Sequence, residues 1–144
     1  FELKNIIGVK DATADLDRVK KQKEKMGPDF IQLSGEDGTA LEFNINGGVG
    51  CISVSANVAP KLCSEFQEAS LSKNNSNLLA KAKEINDKLM PLHKSLFIES
   101  SPSPVKYAAS LLKLCSDEVR LPLVKITEET KNSVKSAMRH ANLI

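Results

Sequence analysis

The sequence is poor in the residues that build several common kinds of site. Its 144 residues contain three cysteines, two histidines, one tyrosine and no tryptophan. Cys51, Cys63 and Cys115 form no C-x-x-C pair, which argues against a disulfide framework or a thiolate zinc site and favours a reducing, cytoplasmic compartment. His93 and His140 have no second ligand at helical spacing. We therefore expect no metal site.

Concentrated charge and long apolar runs are missing as well. Twenty Lys and Arg residues against 18 Asp and Glu residues give a net charge of +2, and the basic residues are spread along the chain. Phosphate binding requires a concentrated basic surface, so we do not expect a nucleic acid as partner. No apolar stretch approaches the roughly 20 residues that cross a bilayer, so we expect no membrane partner. The composition, 41% hydrophobic and 26% charged, is typical of a globular protein.

The first half of the sequence alternates between two patterns. Short apolar runs of strand type occur at residues 6–9, 30–34 and 51–55. Stretches of helical character lie between them, and glycines or Gly27-Pro28 end each stretch. Strands that alternate with helices predict βαβ units and a parallel sheet, and so an α/β fold. Three parallel strands alone leave two unpaired edges, so we interpret them as part of a larger barrel.

The second half is predicted to be helical. Ser103 and Thr127 are candidate N-caps of its last two helices. We expect a barrel segment over residues 1–72 and a helical extension over residues 73–144. Because the chain begins with Phe1, we also expect it to be a piece of a longer protein. One apolar stripe at steps of three and four comprises Leu78, Ala82, Ile85, Leu89, Leu92 and Leu96.

Lys10 is the first candidate for chemistry because it ends a buried parallel strand. The carboxyl ends of such strands form the face on which α/β barrels carry their active sites. A lysine amine attacks a ketone only when neutral, and a free lysine, with a pKa of about 10.4, is neutral roughly once in a thousand at pH 7. Apolar surroundings penalise the ammonium form and create a Schiff-base nucleophile. On position alone, a solvated lysine that ends its strand is the commoner explanation.

The other candidates have simpler explanations. Glycines 47, 48 and 50 follow a helix and precede a strand, whereas a phosphate cradle follows a strand and opens a helix, so we interpret them as a tight turn. Gly35 directly follows a strand and permits either a turn or close approach of a ligand. Glu36 and Asp37 precede a helix and suit capping. His93 lies on an apolar helix and fits packing better than catalysis.

Several segments of the sequence resemble one known family. They are Ile7-Gly8-Val9-Lys10-Asp11-Ala12-Thr13, Leu33-Ser34-Gly35-Glu36-Asp37, residues 47–57, Leu89-Met90-Pro91-Leu92-His93, Pro104-Val105-Lys106 and Arg120-Leu121-Pro122-Leu123. In order and spacing they resemble the dihydrodipicolinate synthase family over essentially the whole chain. The resemblance implies a partial (β/α)8 barrel, its last three strand–helix units, followed by the helical extension of that family. Ser101 and Lys125 depart from the family pattern, in the extension only.

The resemblance also implies roles for particular residues. Lys10 would be the nucleophile that forms an imine with pyruvate, with no other cofactor, and the enamine would then attack L-aspartate 4-semialdehyde in lysine and diaminopimelate biosynthesis. Gly35 and Ile52 match pyruvate-lining positions, and Glu36 and Asp37 match positions at the site entrance. Leu16 matches a subunit contact of tetrameric members.

The resemblance implies limits too, and two alternatives stay open. The tyrosine, threonines and arginine of the family site have no match here, since Tyr107 lies in the extension, so we expect the chain alone to be inactive. One alternative is another pyruvate-lysine aldolase, such as N-acetylneuraminate lyase or a keto-deoxy sugar acid aldolase. The other is a half-barrel without activity that associates through its open edges.

Overall fold

The computed structural model describes residues 3–144, so Phe1 and Glu2 lie outside the described residues. The chain divides into two compact units, one containing the described residues up to Ser53 with Glu65–Lys83, and the other Val54–Ser64 with Glu84–Ile144. The expected division at residue 72 stays a prediction. The strands are β1 (Gly8–Asp11) and β2 (Ile31–Ser34), and the helices are α1 (Asp17–Met26), α2 (Ala40–Ile45), α3 (Pro60–Leu71), α4 (Ser76–Ser95), α5 (Ser103–Leu111) and α6 (Glu128–His140), with 3₁₀ turns at Asp37–Thr39 and Ser55–Asn57.

The first unit is built on a parallel pair of strands joined by a helix. β1 pairs with β2 in the register Gly8↔Ile31 to Asp11↔Ser34, and α1 makes the connection. Val19 on α1 is completely buried. Gln32, on β2 and also buried, donates from Nε2 to the Val19 carbonyl oxygen at 3.1 Å. Apolar burial and this hydrogen bond together fix α1 against the sheet. The predicted α/β arrangement is confirmed for this unit.

The third predicted strand is shorter than the sequence indicates. Parallel hydrogen bonding continues from β2 through Val49 N to the Gln32 oxygen at 3.0 Å and Ile52 N to the Ser34 oxygen at 2.8 Å. Only one bridge, Ser34↔Cys51, forms, and the chain turns into the 3₁₀ segment at Ser55. The prediction of a strand over residues 51–55 is therefore wrong in extent. β2 ends at Ser34, so the residues after Ile52 have no paired partner on this strand.

A buried carboxylate ties β1 to α1. Asp11, the last residue of β1, accepts hydrogen bonds at Oδ1 from the backbone N and Oγ1 of Thr13, at 2.9 and 2.6 Å. Its Oδ2 accepts from Arg18 Nε at 2.5 Å and from Gln22 Nε2 at 3.3 Å. Burial alone would raise the pKa of Asp11, but the hydrogen bonds from Arg18 and Thr13 and the charge of Arg18 outweigh it and lower the pKa from 3.8 to about 2.

Two further features complete the first unit. Glu36 caps the 3₁₀ turn, because its Oε1 accepts a hydrogen bond from Gly38 N at 3.1 Å, as the sequence predicts. Asn44 on α2 is fully buried and donates from Nδ2 to Gln67 Oε1 at 2.9 Å and to Ser70 Oγ at 2.8 Å. These hydrogen bonds join α2 to the second half of α3.

The second unit is helical, as predicted. α5 packs against α6 and against the 3₁₀ turn at Ser55–Asn57. Thr127 caps α6, its Oγ1 accepting from Thr130 N at 3.3 Å. The predicted cap at Ser103 is wrong: Pro102 occupies the cap position of α5, and Ser103 is its first helical residue. Buried apolar side chains of this unit include Leu89, Leu92, Leu96, Val105, Ala108, Val134, Ala137 and Met138.

The helices contain no candidate for a membrane span. Among the described residues, none of the helices is both long enough and apolar enough to cross a bilayer.

Arg18→Gln should destabilise the protein near neutral pH and not in acid. A carboxyl with a lowered pKa in the folded state stabilises the fold above its unfolded pKa, and this contribution is lost as pH falls through the folded pKa. For Asp11 the loss spans the interval from 3.8 down to about 2. Arg18 is half-exposed, so solvent screening reduces the size of this contribution but not its sign.

Urea unfolding followed by circular dichroism at several pH values measures this contribution. It should be largest above about pH 5 and disappear toward about pH 2. Arg139→Gln, which changes an exposed arginine at the end of α6, should have little effect at any pH. A loss from Arg18→Gln that is equally large in acid would contradict the explanation.

Leu92→Ala should destabilise the protein by about 2–5 kcal/mol, because a fully buried leucine leaves a cavity when it is truncated. Leu121→Ala is the matched control. Leu121 is 87% exposed, so its truncation should change the free energy of unfolding by less than about 0.5 kcal/mol. Equal effects of the two substitutions on the urea midpoint would contradict this assignment of the core.

Candidate active site

Lys10 lies on β1 at the end of the sheet where Gly35 follows β2. Its partner in the parallel register is Leu33. Gly35 donates from its backbone N to the Asp11 carbonyl oxygen at 2.8 Å, which draws the carboxyl ends of the two strands together. A Cβ atom placed on Gly35 would lie 2.8 Å from Lys10 Cε. The Lys10 side chain therefore passes directly over the Gly35 backbone, and a side chain at position 35 would displace it.

An apolar groove adjoins Lys10. Its volume is about 460 Å³. Of the nine described residues that line it, Lys10 is the only one with an ionisable side chain. The groove therefore presents one amine among mostly aliphatic side chains, with Asn5 as the other polar residue of the lining. The lining consists of Asn5, Ile6, Ile7, Gly8, Val9, Lys10, Ile31, Leu33 and Ile52.

The groove is open, and this corrects one expectation. Lys10 is exposed, so the prediction that apolar residues shield its amine from water is wrong for the part of the chain that the structure describes. Ile7 is 65% exposed and Ile52 is 51% exposed. The cause is the sheet edge: among the described strands β1 pairs only with β2, so no described strand lies on its other side. Desolvation of Lys10 needs additional groups.

The residues predicted to bind substrate lie near Lys10. Ile52 lines the same groove, where the hydrogen bond from its N to the Ser34 oxygen places it beside β2. Gly35 is next to the Lys10 side chain, because a Cβ atom on Gly35 would lie 2.8 Å from Lys10 Cε. The structure therefore brings Lys10, Gly35 and Ile52 together at one end of the sheet. Whether Gly35 and Ile52 contact a substrate stays a prediction.

The residues predicted at the site entrance and at the subunit contact are not among those that line the groove. Glu36 and Asp37 follow Gly35 directly, but the Glu36 side chain caps the 3₁₀ turn. Asp37 is buried, and Cys51 Sγ lies 3.8 Å from its Oδ1. Leu16 is half-buried and occupies the cap position of α1. Their predicted roles stay predictions.

The glycines at 47, 48 and 50 form a tight turn, as predicted. Gly47 and Gly50 have φ angles of 126° and 157°, a region that side chains rarely adopt. A Cβ atom on Gly48 would lie 2.2 Å from Phe43 Cδ1. The φ angles therefore explain the glycines at positions 47 and 50, and close packing against Phe43 of α2 explains Gly48.

Sequence reasoning missed two buried polar contacts. One is the set of hydrogen bonds to Asp11, for which the signal was available: Asp11 follows Lys10 on a strand, so its side chain points to the opposite face, toward a helix that carries Arg18. The other lies in the second unit, where Ser55 Oγ is 2.7 Å from Nδ1 of the buried His93. The described residues contain no cluster of three or more His, Cys, Asp or Glu side chains that could hold a metal ion.

The sequence is similar to those of known enzymes that share one name. The sequence is 65% identical over 144 residues to the 4-hydroxy-tetrahydrodipicolinate synthase of Pelagibacter ubique, which covers all of this chain and 49% of the relative. It is 60% identical over 144 residues to the enzyme of the same name from Parvibaculum lavamentivorans, covering all of this chain and 48% of the relative. The chain therefore spans about half the length of the curated relatives it matches.

The structure of the chain is also similar to solved structures of dihydrodipicolinate synthases. A crystal structure of dihydrodipicolinate synthase from Aquifex aeolicus superposes with a TM-score of 0.91 at 36% identity and covers 99% of this chain and 47% of that chain. The chloride-inhibited dihydrodipicolinate synthase of Acinetobacter baumannii, complexed with pyruvate, superposes with a TM-score of 0.91 at 38% identity, with coverages of 99% and 48%.

The sequence also matches the Dihydrodipicolinate synthetase family over residues 1–141. The match includes the motifs around Lys10 and Gly35, the parallel strands that bring them together, and all the helices of the second unit. The chain belongs to the dihydrodipicolinate synthase family.

Proposed function

We propose that this chain is the pyruvate-binding half of a 4-hydroxy-tetrahydrodipicolinate synthase, a lyase of lysine and diaminopimelate biosynthesis, and that Lys10 is its nucleophile. The observation that carries the proposal is the placement of one amine, Lys10, against the Gly35 backbone in an aliphatic groove that also contains Ile52. The names and identities of the relatives support the same reaction.

The proposed reaction uses the Lys10 amine as a covalent handle. Its Nζ attacks the ketone carbon of pyruvate, and water leaves to give an imine. Loss of a proton from the methyl carbon gives an enamine, which attacks the aldehyde carbon of L-aspartate 4-semialdehyde. The aldehyde oxygen takes up a proton and the Lys10 imine is restored. The α-amino group of the semialdehyde then attacks the imine carbon, which closes the ring and expels the Lys10 amine. No cofactor beyond this covalent imine is part of the proposal.

The open groove explains why we expect the chain alone to be inactive. Lys10 is exposed, and no other described residue of the groove lining has an ionisable side chain to move a proton. Proton transfer by a positioned side chain is worth about 10²- to 10⁴-fold. We propose that the half-barrel present in the longer relatives covers the free edge of β1, removes water from Lys10 and supplies this group.

The assembly and location of the enzyme are part of the proposal. We infer a homotetramer in the complete protein, with Leu16 at a subunit contact and Glu36 and Asp37 at the site entrance, and a cytoplasmic location. The half-buried position of Leu16 before α1 leaves its side chain partly accessible to a partner.

The first test joins this chain to the N-terminal half of the Pelagibacter ubique enzyme, in place of the segment it matches. Sodium borohydride in the presence of pyruvate should reduce the imine and leave a 1-carboxyethyl group on Lys10, located by peptide mapping. Lys10→Arg should abolish the adduct, because a guanidinium stays protonated. Lys20→Arg, an exposed lysine on α1, is the matched control and should leave the adduct intact.

The same chimera separates the possible second substrates. We expect condensation with L-aspartate 4-semialdehyde and no cleavage of N-acetylneuraminate or a keto-deoxy sugar acid. A preference for a sugar acid would overturn the synthase assignment while keeping the aldolase class. An adduct on a different lysine would overturn the role of Lys10.

A second test targets the clearance at Gly35. In the chimera, Gly35→Ala should slow imine formation about 10- to 100-fold, because the added methyl group displaces Lys10 Cε by roughly an ångström. Gly38→Ala is the matched control, since a Cβ there meets only Glu36 Oε1, at 3.3 Å. Rates of pyruvate adduct formation measure both. Equal rates for the two variants would show that Gly35 does not constrain the lysine.

A further inference from the structure

We propose that Asp11, held by Arg18 and Thr13, is a positioning residue that fixes the Lys10 amine for imine formation. The proposal rests on the proposed function, because it assigns a role to a neighbour of the same lysine. It concerns a group on the opposite face of β1 from the groove, a carboxylate that does not line the groove.

Lys10 and Asp11 are adjacent on a strand, so their side chains point to opposite faces. Lys10 is exposed, whereas the Asp11 side chain is only 4% exposed. A carboxylate is costly to bury unless donors surround it. Here each carboxylate oxygen accepts two hydrogen bonds, so the buried charge is fully satisfied and has little freedom to move.

The donors come from separate segments, and Asp11 connects them. Thr13 belongs to the loop after β1, while Arg18 and Gln22 belong to α1. The Asp11 carbonyl oxygen also accepts the hydrogen bond from Gly35 N at 2.8 Å. One residue therefore joins the end of β1 to the following loop, to the helix and to the residue after β2.

The space around the Lys10 side chain is tight, so the position of Asp11 affects the position of Lys10. A Cβ atom on Gly35 would lie 2.8 Å from Lys10 Cε and 2.8 Å from Ala12 Cβ. The side chains of Lys10 and Ala12, on either side of Asp11 in the chain, therefore occupy the space that a side chain at position 35 would need. A shift of Asp11 would move Lys10 relative to Gly35 and Ile52. Misplacement of a reacting group by about 1 Å can cost about 10²-fold in rate.

The test uses the chimera with pyruvate and borohydride. The final adduct yield counts competent sites, and the rate of adduct formation at saturating pyruvate is expressed per competent site. Asp11→Asn keeps the shape but places an amide where donors converge. We expect its rate per site to fall about 10- to 100-fold, with the half-saturating pyruvate concentration changed by less than about threefold.

Graded and matched variants complete the experiment. Arg18→Lys keeps the charge without the planar guanidinium, so the rate per site of this variant should lie between those of wild type and Asp11→Asn. If Asp11→Asn fails to fold, the Arg18→Lys variant still tests the proposal. Asp117→Asn removes a more exposed ion-pair carboxylate, that of Lys125–Asp117, and should leave the rate unchanged.

The outcomes separate the two proposals. If Asp11→Asn and Arg18→Lys yield fewer competent sites but react at the wild-type rate per site, Asp11 only stabilises the fold and the inference is overturned. If the unmodified chimera forms no adduct on Lys10, the proposed function fails and the inference falls with it. A slowed rate per site in both variants supports the positioning role.

Discussion

The hydrogen bond from Gly35 N to the Asp11 carbonyl oxygen is the contact on which the candidate site depends. It extends the parallel pairing of β1 and β2 one residue beyond the strand end, 2.8 Å from donor to acceptor. Because Gly35 has no side chain, the Lys10 side chain can pass over that bond. Ile52 joins the same edge through its own bond to Ser34. The geometry of the site is thus mostly main-chain geometry, to which one amine is attached.

Local patterns in the sequence predicted much of this arrangement. The capping residue Thr127 and the apolar stripe on α4 depend on near neighbours and form as expected. A strand forms around Lys10 as well, but over Gly8–Asp11 rather than residues 6–9, so Lys10 lies within it instead of ending it. Errors arose where distant contacts decide the outcome. The strand after residue 51 stops early because β2 has already ended, and Ser103 enters α5 as a helical residue because Pro102 takes the cap position.

The exposure of Lys10 illustrates the same limit at the site itself. Sequence reasoning correctly assigned aliphatic residues to the strands around the lysine, but burial depends on what covers the second edge of β1. The described residues pair that edge with nothing, and the relatives are about twice as long as this chain. Asp11 shows the opposite error. In the sequence it looks like an ordinary polar residue at a strand end, but it is buried and bonded to Arg18 of α1, seven residues along the chain.

The open edge of β1 has a practical consequence for handling the chain by itself. Among the described residues no strand pairs with the outer edge of β1, and this edge, beside exposed isoleucines, provides a template on which another copy can add a strand. A net charge of +2 over 144 residues gives little colloidal repulsion against such association. We expect concentration, rather than temperature, to set the conditions under which the purified chain remains dispersed, and acidic pH, which raises its net charge, to widen them.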